Sequence, residues 1–365
     1  MKKTFLLLFC WVVISVFSVV QAGTLPDGII PPEEPKDNPS TSEKIALGKK
    51  LYFDKRLSID DTVSCATCHD TEKGFADGKK VGEGIQGKKG TRNSPTTLNA
   101  AFFELQFWDG RAKTLEDQAK LPIINPIEMG MPSHKAVEEK IRRIPEYRKE
   151  FKKVFGTEQF TIDHIAKTIA AFERTLVSVK SPFDRFIAGD KTAISEDARA
   201  GWELFNGKAR CNTCHGFIEV YPFFTDNKFH NIGVAMKNPS FESLAREAQR
   251  PGVRPSDLSS REGASELGRY NVTGNIKDIG AFKSSGLRNI ALTAPYMHDG
   301  SEPTLEAVIE FYNKGGIPNP NLDGGIVPLN LTDKEKSQLV EFLMTLTSED
   351  IDQVSSKKEV DYDEK

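Results

Sequence analysis

Two short segments carry the residues best suited to chemistry: Cys65-Ala66-Thr67-Cys68-His69 and Cys211-Asn212-Thr213-Cys214-His215. Both read C-x-x-C-H, the pattern of covalent haem c attachment. The spacing has a physical reason. Two intervening residues let both sulfurs reach the two vinyl groups of one porphyrin, and the next residue is then held beneath the iron, where imidazole is a good axial ligand. Two other chemistries use paired cysteines. A redox dithiol needs no histidine after it, yet His69 and His215 each follow a pair. A zinc site would pool the two pairs, whereas here each pair belongs to its own sequence repeat. The reading is two haem c groups, with His69 and His215 as iron ligands. The fifth cysteine, Cys10, lies in an apolar leader, so every cysteine beyond it is used.

Each pair needs a scaffold. Gly48-x-x-Leu51-Tyr52 precedes the first pair and Gly201-x-x-Leu204-Phe205 the second. A helix followed by the same motif, twice, implies two copies of one domain. Thr41 to Phe53 predicts a capped helix starting near Ser42. Over 159–178, Ile162, Ile165, Ala166, Ile169, Ala170, Phe172 and Leu176 recur at helical spacing, and Ser181-Pro182 ends the run. Thr332-Asp333-Lys334-Glu335 is a capping box. It opens a helix with Leu339, Phe342, Leu343 and Leu346 on one face. Segment 237–266, rich in Arg, Ser and Glu, predicts an exposed excursion. No runs of alternating strand pattern occur. The fold class is therefore mainly α: two cytochrome c-like domains, 42–194 and 195–350. Neither buries a haem and a large core alone, so a packed interface between them is expected.

A chain of 365 residues, 38% apolar and 28% charged, is globular and neither disordered nor a membrane bundle. Lys plus Arg is 49 against 52 for Asp plus Glu. That balance argues against nucleic acid as the main partner. Lys2 and Lys3, an apolar run from Phe5 to Val20 and the small-x-small site Val20-Gln21-Ala22 form a cleavable export signal over 1–22. The run falls short of the ~20 residues needed to span a bilayer. Residues 23–41 predict a flexible leader and 351–365 a charged tail. Export to the periplasm fits, since haem c is assembled there, and no membrane span is expected after cleavage.

Longer motifs resemble a known family. Gln106 to Ala112 (QFWDGRA), Leu287 to Gly300 (LRNIALTAPYMHDG), Arg92 to Thr96 and Phe224 to Asn231 are similar to signatures of the bacterial diheme cytochrome c peroxidases and the related MauG proteins. The resemblance spans roughly 42–345. It implies that the N-terminal haem reacts with H2O2 while the C-terminal haem relays electrons from a small donor protein, a c-type cytochrome or a cupredoxin. It implies that Trp108 lies between the haems. Gln118, Pro122 and Glu128 follow Trp108 by ten, fourteen and twenty residues, and the resemblance makes them the distal pocket of the first haem. Glu128 would move a proton from one peroxide oxygen to the other, as a carboxylate within reach of both can. Asn93, Thr293 and Pro295 match positions that bind one Ca²⁺ between the domains, an ion suited by oxygen ligands. A homodimer is the assembly the family allows. The leading activity is peroxide reduction to water. Its rival is the MauG manner, in which oxidising equivalents taken from peroxide and held on both haems oxidise a protein or organic substrate. A third reading is a non-catalytic diheme electron carrier.

Two departures matter. Many members carry a histidine that blocks the first iron, between the first C-x-x-C-H and the Arg92 motif. Here that loop reads Val81 to Gly87, with no histidine between His69 and His134. An open first haem that needs no reductive activation is expected. The classical peroxidases ligate the second haem with a methionine, but the matching stretch 307–316 offers only Tyr312. Tyr312 is the expected ligand of haem iron 2, as in MauG-like proteins, with Met297 as rival. His134 is read as a surface residue and His164 as solvent-facing or packed. His230 and His298 are expected to hold hydrogen bonds rather than iron.

Overall fold

The computed structural model describes residues 28–351. The export signal, the first residues of the leader and nearly all of the charged tail lie outside the described residues. The first domain is organised by two crossing helices, Ser42–Phe53 and Ile162–Glu173. Thr41 caps the first, its hydroxyl accepting from the Lys44 amide at 3.3 Å. Gly48 sits at the crossing, where a Cβ would collide with the Thr168 carbonyl oxygen. Leu51, Tyr52, Ile165, Ile169 and Phe172 close this core with Phe75, Tyr147, Phe151 and Phe160, all but buried. The Ile162–Glu173 helix is shorter than its apolar pattern because the Leu176 carbonyl accepts from the Asn99 amide instead, at 2.8 Å.

The second domain repeats the design. Helices Glu196–Asn206 and Asp333–Met344 cross at Gly201, where a Cβ would meet the Gln338 carbonyl oxygen. The Thr332–Glu335 capping box forms as expected. Phe183, Phe205, Phe224, Leu339 and Phe342 fill this core. Among the described residues the one ladder is short, Phe229–His230 antiparallel to Phe282–Lys283. No described helix is long and apolar enough to cross a membrane.

Two expectations change. Segment 237–266 is not an exposed excursion. Its Phe241–Ala248 helix buries Phe241, Leu244, Ala245 and Ala248 against Leu258, Leu267, Tyr270, Ile279 and Phe282, forming a third core that reaches Trp108. The apolar stripe escapes notice because charged residues fill the other face. The described part of the leader, residues 28–41, is not loose. The Ile30 amide donates to the Val220 carbonyl at 3.1 Å in the second domain. Asn38 is fully buried in the first domain, donating to Glu116 Oε1 at 2.6 Å and to the Lys167 carbonyl at 3.0 Å. Two specific anchors outweigh a Pro- and Asp-rich composition.

Candidate haem sites and the cavity they share

Cys65–Cys68 form a single helical turn, which places His69 at its end. The His69 Nδ1 lies 3.3 Å from the Phe75 carbonyl. In the second domain His215 Nδ1 lies 2.9 Å from the Phe224 carbonyl. Both phenylalanines have left-handed backbones, φ 58° and 56°, which turn those carbonyls toward the rings. A carbonyl only accepts, so each Nδ1 carries the proton and each Nε2 keeps a lone pair for iron. Burial holds both imidazoles below their ordinary pKa, in the neutral form that ligates. Among the described residues Cys65, Cys68, Cys211 and Cys214 form no disulfide with one another.

One continuous cavity of about 1070 Å³ is lined by both C-x-x-C-H segments. Its wall also includes Trp108, Gln118, Pro122, Glu128, Asn93, Thr293, Pro295, Met297 and Tyr312, so every predicted site residue faces the same space. Two cysteine pairs, two neutral imidazoles and a mostly apolar hollow between them fit two covalent haems.

Gln118 and Pro122 project from the helix Leu115–Ile124, and Glu128 follows it. Asn125 Nδ2 donates to Glu128 Oε1 at 2.9 Å. Burial pushes the Glu128 carboxyl above its ordinary range, with Arg111 opposing. The 81–87 loop packs on this segment. The Ile85 amide donates to the Glu128 carbonyl at 2.9 Å, and a Cβ on Gly84 would collide with the Ile127 carbonyl. The loop thus holds the Glu128 backbone and brings no imidazole to the first site. Trp108 Nε1 donates to the Asn93 carbonyl at 2.9 Å, and the indole meets the His298 ring edge-on at 6.4 Å.

The domain repeat extends to the cavity wall. Asn99 and Asn289 are both left-handed, as are Phe107 and Met297. The bridge Gln106–Ala112 has its counterpart in Tyr296–Glu302. Thr114 and Thr304 each cap the helix that follows. In this register His298 corresponds to Trp108, and Tyr312 on the helix Leu305–Asn313 corresponds to Pro122. Burial, with the nearby Cys214 and Cys211, pushes the Tyr312 hydroxyl up. Met297 lines the cavity from the loop, in the place that Phe107 takes in the first domain.

The remaining histidines are held by hydrogen bonds. His298 Nε2 lies 2.9 Å from Glu266 Oε2, and Arg92 reaches Glu266 Oε1 at 2.7 Å. His298 also stacks on Phe282 at 3.5 Å. Burial works against charge on Glu266, but His298 and Arg92 keep its carboxyl below the usual range. His230 lies between Asp323 at 2.7 Å and Asp226 at 2.9 Å. His134 Nε2 reaches the Lys120 carbonyl at 3.0 Å, and the His164 ring meets Phe155 edge-on at 4.6 Å. Asn93 joins the domains, its amide donating to the His298 carbonyl at 2.9 Å while Nδ2 donates to Lys79. Among the described residues no hydrogen bond reaches Asn93 Oδ1, and the Thr293 and Pro295 carbonyls accept none from the backbone. These are oxygens of the kind Ca²⁺ takes. Sequence reading missed Asn125, Glu266 and Lys283. Glu266 sits at the edge of the stretch read as an excursion. Lys283 is half-buried, with its ammonium 4.8 Å from the Phe103 ring and its charge weakened to a pKa of about 8 by desolvation.

The family described as di-haem cytochrome c peroxidase matches residues 42–192. The methylamine utilization protein MauG of Methylorubrum extorquens is 40% identical over 316 residues, 86% of this chain and 81% of that protein. The cytochrome c551 peroxidase of Nitrosomonas europaea is 38% identical over 316 residues, covering 86% and 83%. A solved MauG-like protein associated with microbial copper homeostasis superposes with a TM-score of 0.75 at 34% identity, over 90% of this chain and 95% of its own. The chain belongs to the di-haem cytochrome c peroxidase family, as a peroxidase with two covalently bound haem c groups, peroxide as its substrate and a redox partner.

Proposed function

We propose that the chain is an exported, periplasmic peroxidase that reduces H2O2 to water at the haem of the Cys65–His69 segment. Electrons enter at the Cys211–His215 haem from a small c-type cytochrome or cupredoxin and pass near Trp108. The carrying observation is the position of Glu128, a half-buried carboxyl on the first-site wall with Gln118 and Pro122 and no histidine in the 81–87 loop packed beside it. When bound, the first haem supplies an iron that takes peroxide and electrons. The protein's share is to hold His69 neutral beneath it, exclude competing ligands and handle protons. Asn125 orients the Glu128 carboxylate, which accepts a proton from one peroxide oxygen and returns it to the other as that oxygen leaves. Asn93, Thr293 and Pro295 hold Ca²⁺ at the domain junction, and Tyr312 ligates the second haem.

Steady-state peroxide consumption by the fully oxidised protein, with reduced cytochrome c as donor, tests this. Turnover of about 10 s⁻¹ or more without prior reduction is expected. No turnover until the protein is reduced would overturn the open first site. Tyr312 also favours a second reading, since phenolate ligation stabilises oxidised iron. On that reading peroxide alone leaves a long-lived oxidised protein and donor turnover is slow. Tyr312→Phe with an unchanged second-haem spectrum would remove the ligand assignment and this reading with it.

A further inference from the structure

Four carboxylate residues line the cavity, Glu83, Asp109, Glu128 and Glu173, and the reaction outlined above uses only Glu128. Glu83 pairs with Lys79 and Asp109 with Arg111, whereas Glu173 ends the Ile162–Glu173 helix, buried inside the first domain. The residue is 5% exposed, and its buried Oε2 has no hydrogen-bond partner. Two more buried orphans belong to the same cluster, Oε2 of Glu116 and Nη1 of Arg174. Buried polar atoms are nearly always paired, so three unpaired ones together mark a place that accommodates water or an exchanging proton.

The cluster has a way out. Arg174 Nη2 donates to Glu116 Oε1 at 2.6 Å, and Asn38 Nδ2 donates to the same oxygen at 2.6 Å. Asn38 Oδ1 accepts from Lys44 Nζ at 2.9 Å. Next to Asn38, Asp37 pairs with Lys167 at 2.8 Å and is largely exposed. Polar groups therefore run from the surface strap to Glu116, whose charge acts on Glu173 at the cavity wall. The groups that face Glu173 are Arg174 on its own helix, Glu116 on Leu115–Ile124, Tyr52 on Ser42–Phe53 and Cys65 on the attachment turn. Tyr52 is occupied by Thr97 at 3.1 Å. Arg174 is the one cation among them, and Glu116 already holds it. An unpaired carboxylate in such surroundings is costly. Burial accordingly pushes the Glu173 carboxyl up to about 8, against the pull of Arg174.

We infer that Glu173 is the proton-holding residue of the first haem site: its carboxylate binds a solvent proton when that haem gains an electron and releases it when the electron leaves. The charges balance. The electron, supplied by the donor protein that the peroxidase reaction already requires, adds one negative charge to the iron. The proton arriving past Glu116 forms an O–H bond on Glu173 and cancels it. Reduction of peroxide to water consumes one proton per electron, so the site fills with both together. The inference rests on the assignment of the first haem to Cys65–His69.

Spectroelectrochemical titration of each haem in the holoprotein, from about pH 7 to about pH 10, the range in which a carboxyl raised to about 8 gives up its proton, tests it. The first haem's midpoint potential is expected to fall with rising pH and the second's to stay level. Glu173→Gln should remove the first haem's pH dependence, and Glu173→Asp should keep it. An unchanged slope in Glu173→Gln overturns the inference. If that variant fails to take up haem, the wild type still decides. Its reduced-minus-oxidised infrared spectrum must show a protonated-carboxyl band that shifts in D2O and survives Glu128→Gln. Absence of that band overturns the inference, and its loss in Glu128→Gln transfers the proton to Glu128. A mass showing a single covalent haem would overturn the haem assignment itself, a different failure from any of these.

Discussion

Glu128 is held from two sides, by Asn125 at its carboxyl and by the Gly84 turn at its backbone. A carboxyl raised by burial alone is a better proton carrier near neutral pH than a solvated one. Glu128→Gln keeps the shape and removes the proton acceptor. The rate of reaction with peroxide, followed by stopped-flow absorbance, should fall by about 10²- to 10⁴-fold, with the second haem's spectrum unchanged. In the wild type the same rate should fall on acidification, since the protonated acid cannot accept a proton. The midpoint should lie above the ordinary glutamate value of about 4.3. The haem-attaching residues were legible from spacing alone, because sulfur-to-vinyl geometry allows little variation. Glu128 was legible only through family motifs, since a lone glutamate carries no local signal. Asn125 and Glu173 were not legible, because their roles arise from contacts that sequence distance hides.

At the scale of elements, each domain depends on one glycine that lets two helices touch. The positions are Gly48 against Thr168 and Gly201 against Gln338. A methyl group at either must push the helices apart. Gly48→Ala and Gly201→Ala should each cost about 1–3 kcal/mol in denaturant titrations. The damage should be local: the first should lower haem occupancy in the Cys65–His69 domain, the second in the Cys211–His215 domain. The capped helices were readable because Thr41 and Thr332 mark their starts by short-range chemistry. The Phe241–Ala248 helix was not, because its four buried residues are diluted by charge and acquire meaning only against Tyr270 and Phe282.

At the scale of the molecule, the domains are joined by contacts that converge on the cavity. Arg92 and Asn93 reach Glu266 and His298, and the Lys283 amide donates to the Trp108 carbonyl at 2.8 Å. The strap adds a second tie, from Val220 in one domain to Glu116 in the other. Asn38→Ala leaves buried partners unsatisfied and should lower unfolding stability by about 1–3 kcal/mol, seen as an earlier chemical-denaturation midpoint. Two domains could be read from repeated motifs. The strap could not, because its composition is that of a linker and only its partners make it structural.

The correspondence of Pro122 with Tyr312 bears on how such a pair of units came to divide its labour. The two halves agree in helix crossing, attachment turn and carbonyl clamp, so specialisation needs no new architecture. On the proposed ligation by Tyr312, the residue at one rung of one helix sets whether an iron greets substrate or is shut against it. Pro122→Tyr, carrying the second unit's choice into the first, should place a phenol over the reactive iron. The oxidised protein's high-spin ferric signal should shrink and peroxide turnover should stop, with both haems still attached.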